Sequence, residues 1–219
     1  MNTIDYMKKT LFFLLHLVVF TSLSDQAKAQ DDNLKPVNGI FSQYDFQFDY
    51  YSLVRKLLFR GFSDNPEIRF VVIPSFTPEF VLDIEVDNNK KYFLLYHQAN
   101  PSIWYNQGKK KINIDSMKTE IEYKSFALIK KLFLAAINKT KYQPDSLHSI
   151  GIDGTDYYFS VNDMGQKDGF IWSPPVGTKM NRLVEIAIHL TQLMKEEPDM
   201  IEFDTTFSKE IEDLTKLLE

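Results

Sequence analysis

The chain of 219 residues contains no cysteine. That absence excludes disulfides, thiol nucleophiles and cysteine-based zinc sites, so stability in an oxidising compartment has to come from packing. Glycine and proline are sparse, at 8 and 9 residues, which excludes a collagen-like or low-complexity chain. Dense positive charge is also missing. The formal net charge is −5, and the one tight basic run, Lys109-Lys110-Lys111, sits beside Gly108 like a solvated turn. Clustered Lys and Arg are the electrostatic footprint of a nucleic-acid or anionic-membrane binder, so no nucleic-acid partner is expected. Phosphate-cradling glycine loops, dinucleotide fingerprints, H-E-x-x-H and G-x-S-x-G are all absent from the sequence. No cofactor and no metal site is therefore expected.

What is present begins with an address. Lys8 and Lys9 precede the apolar run Leu11 to Phe20, and Ser24, Asp25 and Gln26 lead into Ala27-Lys28-Ala29. A charged start, a short apolar centre and small residues one and three places before a cut form a secretory signal pattern. The run is about half of the roughly 20 residues that a membrane-crossing helix needs. Residues 1–29 are thus expected to be a signal peptide cleaved after Ala29, with no stable membrane insertion afterwards, and the protein to be exported, periplasmic or secreted. With no cysteine at the cleavage point there is nothing to carry a lipoprotein's lipid.

The segment 30–44 is polar, contains Pro36 and lacks periodicity, so it reads as a flexible leader to a single α+β domain over 45–219. Tyr50, Leu53, Val54, Leu57 and Leu58 fall on one helical stripe, with Asp49 as an expected N-cap and Gly61 as the stop. Strands are expected at Phe70 to Ile73, Val81 to Val86 and Lys91 to Tyr96, the last two forming a hairpin across Asn88-Asn89. Ile112 to Tyr123 is ambiguous between strand and helix. Phe126, Ile129, Leu132, Phe133, Ala136 and Ile137 mark a second helix. Leu147 to Trp172 reads as a meander with strands near Ser149 to Ile152, Asp156 to Val161 and Gly169 to Trp172, turning at Asp153-Gly154 and around Gly165. Helices follow on Leu183 to Met194 and Phe207 to Leu218, separated by Pro198. The simplest assembly is an α+β domain: an antiparallel sheet with about four helices packed on one face.

The stretch Asp153-Gly154-Thr155-Asp156-Tyr157-Tyr158-Phe159-Ser160, with Gly169 to Pro174 after it, carries the strongest candidate surface. Strand alternation places Tyr157, Phe159 and Val161 on one face and Asp156, Tyr158 and Ser160 on the other. Asp156, Tyr158, Trp172 and Ser173 are accordingly the candidate ligand-binding residues, an aromatic and acidic surface suited to a protein, peptide or glycan partner. The D-G-x-x-Y-x-F and G-x-x-W-S-P segments, together with Pro74-Ser75-Phe76-Thr77-Pro78-Glu79, resemble a pattern in small secreted bacterial proteins of uncharacterised function. The resemblance extends over most of the chain after the leader and implies export but no activity, so it transfers no catalytic residue.

Other chemistry is less well supported by spacing. Asp153, Asp156, Asp163 and Asp168 crowd neighbouring loops but lack the alternation and terminal glutamate of a helix-loop-helix calcium site. Glu79, Asp83 and Glu85 offer carboxylate pairs of the kind used in glycoside hydrolysis. Ser75 with His97 or His148 is the alternative of an exported hydrolase, and requires a histidine within about 3 Å of the nucleophile or of a carboxylate. No H-E-x-x-H accompanies His189, so a helical zinc site is not expected there. Asn138-Lys139-Thr140 matches a glycosylation acceptor. The stripe Phe207 to Leu218 is either closed on its own domain or open to a partner helix in an assembly.

Overall fold

The computed structural model describes residues 32–42, 47–108, 111–141 and 153–219. Among them the chain forms one sheet of eight strands: β1 (Lys35–Pro36), β2 (Ile68–Pro74), β3 (Phe80–Val86), β4 (Tyr92–Asn100), β5 (Asn113–Ile121), β6 (Thr155–Asn162), β7 (Gln166–Trp172) and β8 (Met200–Ile201). The spatial order is β1-β7-β6-β2-β3-β4-β5-β8. All neighbours are antiparallel except β5 and β8. The helices are α1 (Phe48–Leu58), α2 (Ile103–Asn106), α3 (Tyr123–Asn138), α4 (Lys179–Glu196) and α5 (Thr205–Leu218).

The α+β class holds, but the helices do not share one face. Ile68, Phe70 and Val72 of β2, Leu82 and Ile84 of β3, and Phe159 and Val161 of β6 point into a core closed by α3, α4 and α5. The alternate residues, Val71, Ile73, Val81 and Tyr158, point the other way into a second core closed by α1 and Ile103 of α2. Helical periodicity says that a stripe is buried; it does not say on which side of the sheet. The ambiguous stretch resolves as β5 because its apolar residues Met117 and Ile121 alternate beside β4.

The hairpin of β3 and β4 forms as expected, with Val86 opposite Tyr92. Its left-handed residue is Lys90 (φ 62°) rather than an asparagine. The Asp87 carboxylate holds the turn by accepting from the Asn89 and Lys91 amides at 2.8 and 2.9 Å. Asp49 likewise is not the cap of α1: the cap position falls two residues earlier, at Gln47, and Asp49 lies in the first turn. The strand expected at Ser149 to Ile152 lies outside the described residues.

The described part of the segment read as a flexible leader, residues 32–42, is built into the domain. Leu34 is fully buried, β1 pairs with Phe170 and Gly169, and Asp32 accepts from the Lys179 amide that opens α4 at 2.6 Å. Gly169 lets the strands approach closely there: an added Cβ would lie 2.8 Å from the Leu34 side chain, which would have to shift. The short polar pattern hid one apolar anchor. Among the described residues, no helix is long and apolar enough to cross a membrane.

Candidate functional site

At one end of the sheet, where β2 and β7 finish and β6 begins, α1 and α2 leave an open cleft of about 390 Å³. Its walls come from five segments distant in sequence: the start of α1, the turn after β2, α2, the start of β6 and the last residue of β7.

The architecture of the cleft starts with Glu79. This side chain is completely buried, yet both of its oxygens are hydrogen-bonded. It accepts from the Tyr50 hydroxyl at 2.8 Å, from Ser102 Oγ at 3.2 Å, and from the Ile103 and Trp104 amides at 2.8 and 2.9 Å. The first amides of any helix lack intrahelical partners, and a cap residue usually supplies the acceptor. Here Ser102 at the cap position makes no such bond, and a carboxyl group from a different part of the chain does its work. Glu79 thereby ties α1 to α2. Desolvation by burial, with Glu79 alongside, raises the Tyr50 hydroxyl well above the usual tyrosine range, so it remains a donor.

Fixing α2 presents two aromatic side chains to solvent. Trp104 is 43% exposed and packs edge-on against Tyr50 at 5.0 Å; Tyr105 is half exposed and its hydroxyl donates to the Ser75 carbonyl at 2.7 Å. The opposite wall carries Trp172, 38% exposed, with Phe76 largely exposed nearby in the turn after β2. Trp172 sits opposite Asp156 in the β6–β7 register. Its indole lies over Gly154, where any Cβ would overlap the ring. Ser75 Oγ donates to the Gly154 carbonyl at 2.8 Å and accepts from its amide at 3.0 Å, which fixes the backbone under the indole. Scattered exposed aromatics are ordinary on a protein surface; four around one cleft form a contiguous patch.

The four residues singled out from sequence divide into two pairs. Asp156 and Trp172 line the cleft. Tyr158 does not: it is fully buried beneath α1, with its ring 5.1 Å from both Phe41 and Phe170. Alternation placed it correctly opposite Phe159, but that face is also covered. Ser173 is half-buried and closes the strand pair, accepting from the Thr155 amide at 2.8 Å while its own amide bonds the Thr155 carbonyl. Trp104, Tyr105, Phe76 and Glu79 complete the site without having been singled out as its ligand-facing members. The available signal was that Trp104, like Trp172, belongs to no apolar stripe although both are large aromatics.

The remaining candidates go elsewhere. His97 Nδ1 bonds the Leu58 carbonyl at 2.8 Å and its ring packs on Phe62 at 4.2 Å, while Ser75 is committed to Gly154. These two residues make no hydrogen bond to each other; His148 lies outside the described residues. Asp83 forms a buried pair with Arg69 at 2.6 Å, four residues beyond Glu79, or about 13 Å along an extended chain. Burial pushes the Asp83 carboxyl up to about 7, against the pull of the Arg69 guanidinium. Glu85 accepts from the Ser63 amide. Asp163 pairs with Lys167 at the far end of the β6–β7 hairpin from Asp153 and Asp156. Among the described residues, no cluster of three His, Asp or Glu is arranged to hold a metal ion. His189 bonds Gln192, and Phe207, Ile211, Leu214 and Leu218 are buried in the large core. In comparisons with family models, curated proteins and solved structures, nothing matches the chain.

Proposed function

We propose that the protein is exported and acts as a binding module that holds part of a peptide, protein or glycan in the cleft between α1, α2 and the end of the sheet. The observation that carries this reading is the convergence of Trp104, Tyr105, Phe76 and Trp172 around one opening above a rigid, fully hydrogen-bonded support. Rigid aromatic faces bind at low entropic cost, since they have two side-chain torsions and arrive already positioned. Asp156 and Asp153 supply polar recognition at the rim, while Tyr158 and Ser173 act from beneath by fixing the strands. The charged start, short apolar run and Ala27-Lys28-Ala29 of the leader support export, as does the motif resemblance to small secreted proteins.

The test is thermal unfolding of the purified protein with cell-wall peptides and oligosaccharides. A ligand present at a hundred times its dissociation constant stabilises the native state by about 2.7 kcal/mol. Stabilisation that disappears in Trp104→Ala and Trp172→Ala supports the reading. Stabilisation that survives both substitutions places binding elsewhere and contradicts it.

A further inference from the structure

Resting on the cleft being a binding site, we propose that its ligand is a neutral pyranose sugar, held by an apolar C–H face against the indoles and by its hydroxyls at the rim. The backbone around the cleft argues against a peptide. The Ser75 amide bonds the Gly154 carbonyl and the Ser173 amide bonds the Thr155 carbonyl, both at 2.9 Å, while the Gly154 and Thr155 amides bond the hydroxyls of Ser75 and Ser173. The Ile103 and Trp104 amides are held by Glu79. β6, the strand that opens at the cleft, is paired along both edges, with β2 and with β7. An extended peptide draws much of its affinity from main-chain hydrogen bonds to an open strand edge, and β6 offers it none.

What the walls present instead is ring faces together with side-chain tips of both hydrogen-bonding kinds. The Trp172 indole is backed by Gly154 and the Trp104 indole by the Tyr50 ring, so both platforms are fixed before a ligand arrives. The indole N–H groups donate, the Gln47 amide both donates and accepts, and the exposed Asp153 side chain accepts. Tyr51 and Asp156 have interactions of their own and enter as parts of the wall. A pyranose has the same division: its C–H face is apolar, and its hydroxyls both give and take hydrogen bonds. Among the described residues lining the cleft there is no Lys, Arg or His, so an acidic sugar would meet Asp153 without a counter-charge. The cleft volume of about 390 Å³ is at the small end of the range for ligand sites, suited to a short stretch of glycan rather than a large ligand.

The chain has two tryptophans, Trp104 and Trp172, and both line this cleft, so tryptophan fluorescence reports on it alone. The experiment titrates the full protein with oligosaccharides of N-acetylglucosamine and of glucose, with glucuronic acid, and with short end-blocked peptides of neutral, acidic and basic composition. The expected result is a saturable change with a neutral oligosaccharide, unaffected as salt is raised because the ligand carries no charge, and none with glucuronic acid or the peptides. A response confined to the N-acetylglucosamine series assigns the ligand to amino-sugar glycans, and one confined to the glucose series assigns it to glucans; either supports the proposal. Trp104→Ala and Trp172→Ala should each weaken the sugar about tenfold, while Trp104→Phe and Trp172→Phe, which keep a ring, should recover much of the loss. A peptide response that both alanine variants abolish, with no response to sugar, overturns the sugar assignment and leaves the cleft as a binding site. Silence from every probe also overturns the sugar assignment. Sugar binding measured by calorimetry that leaves tryptophan emission unchanged and survives both alanine substitutions overturns the cleft itself.

Discussion

The two faces of the sheet are built by different rules. The face under α3, α4 and α5 is large and almost wholly aliphatic and aromatic, with Leu132, Phe133, Leu190, Ile211 and Leu214 interdigitated against Phe70, Ile84 and Phe159. The face under α1 is smaller and rich in rings, and it buries polar, ionisable groups: Arg69 with Asp83, and Glu79 with its four donors. Apolar burial is non-directional and tolerates rearrangement so long as volume is kept. A buried carboxyl group held by four donors is directional, and losing any donor costs free energy. The first kind of face makes a stable platform. The second kind fixes particular side chains in particular places, which a recognition site requires.

The largest loss is expected on the large face. Phe133→Ala removes a fully buried ring packed 5.1 Å from Phe159, and should destabilise by about 3–5 kcal/mol in denaturant unfolding. The cleft should keep its affinity in whatever fraction stays folded. On the small face, Glu79→Ala strands the Tyr50 hydroxyl and the Ile103 and Trp104 amides, and should cost about 2–3 kcal/mol. It should also release α2, so ligand affinity falls more steeply than stability does. Glu79→Gln, which keeps an acceptor oxygen, should recover part of both.

Tyr50→Phe is the smallest change and the most informative about pH. At neutral pH it removes one of four donors to Glu79, a loss of about 1 kcal/mol. In the parent protein the folded state holds the Tyr50 proton more tightly than the unfolded chain, whose tyrosines ionise near 10. The stabilising contribution is therefore complete below pH 10 and is lost as pH rises beyond it. Equilibrium unfolding followed from pH 8 to 11.5 should show a fall above pH 10 that is smaller in Tyr50→Phe. An equal alkaline fall in both proteins would show that Tyr50 is not the group responsible.

The elements with long, clean periodicity were legible from sequence. The stripes of α3 and α5 and the alternation of β3 and β6 each carry enough apolar residues to leave one reading. The partition of helices between faces was not legible, because a stripe specifies burial and not the surface that covers it. Tyr158 shows the consequence: its strand face was right, and the helix lying over that face was assigned to the other side. Leu34 was missed because a single apolar residue in a polar segment carries no period. Within the site, Asp156 and Trp172 stood out through turn chemistry and aromatic content. Trp104 joins them only because β4 returns next to β3 while β6 inserts beside β2, a strand order that local pattern does not encode.

In the proposed function, recognition belongs to the α1 face and the α4–α5 face is structural. The most direct measurement is a backbone amide chemical-shift map of the labelled protein with the peptide or glycan that gives the largest thermal stabilisation. Perturbations should concentrate at Ser75 to Glu79, Ile103 to Asn106, Asp153 to Asp156 and Trp172, with little change across α4 and α5. Perturbations centred instead on the groove between α4 and α5, around His189 and Phe207, would contradict it.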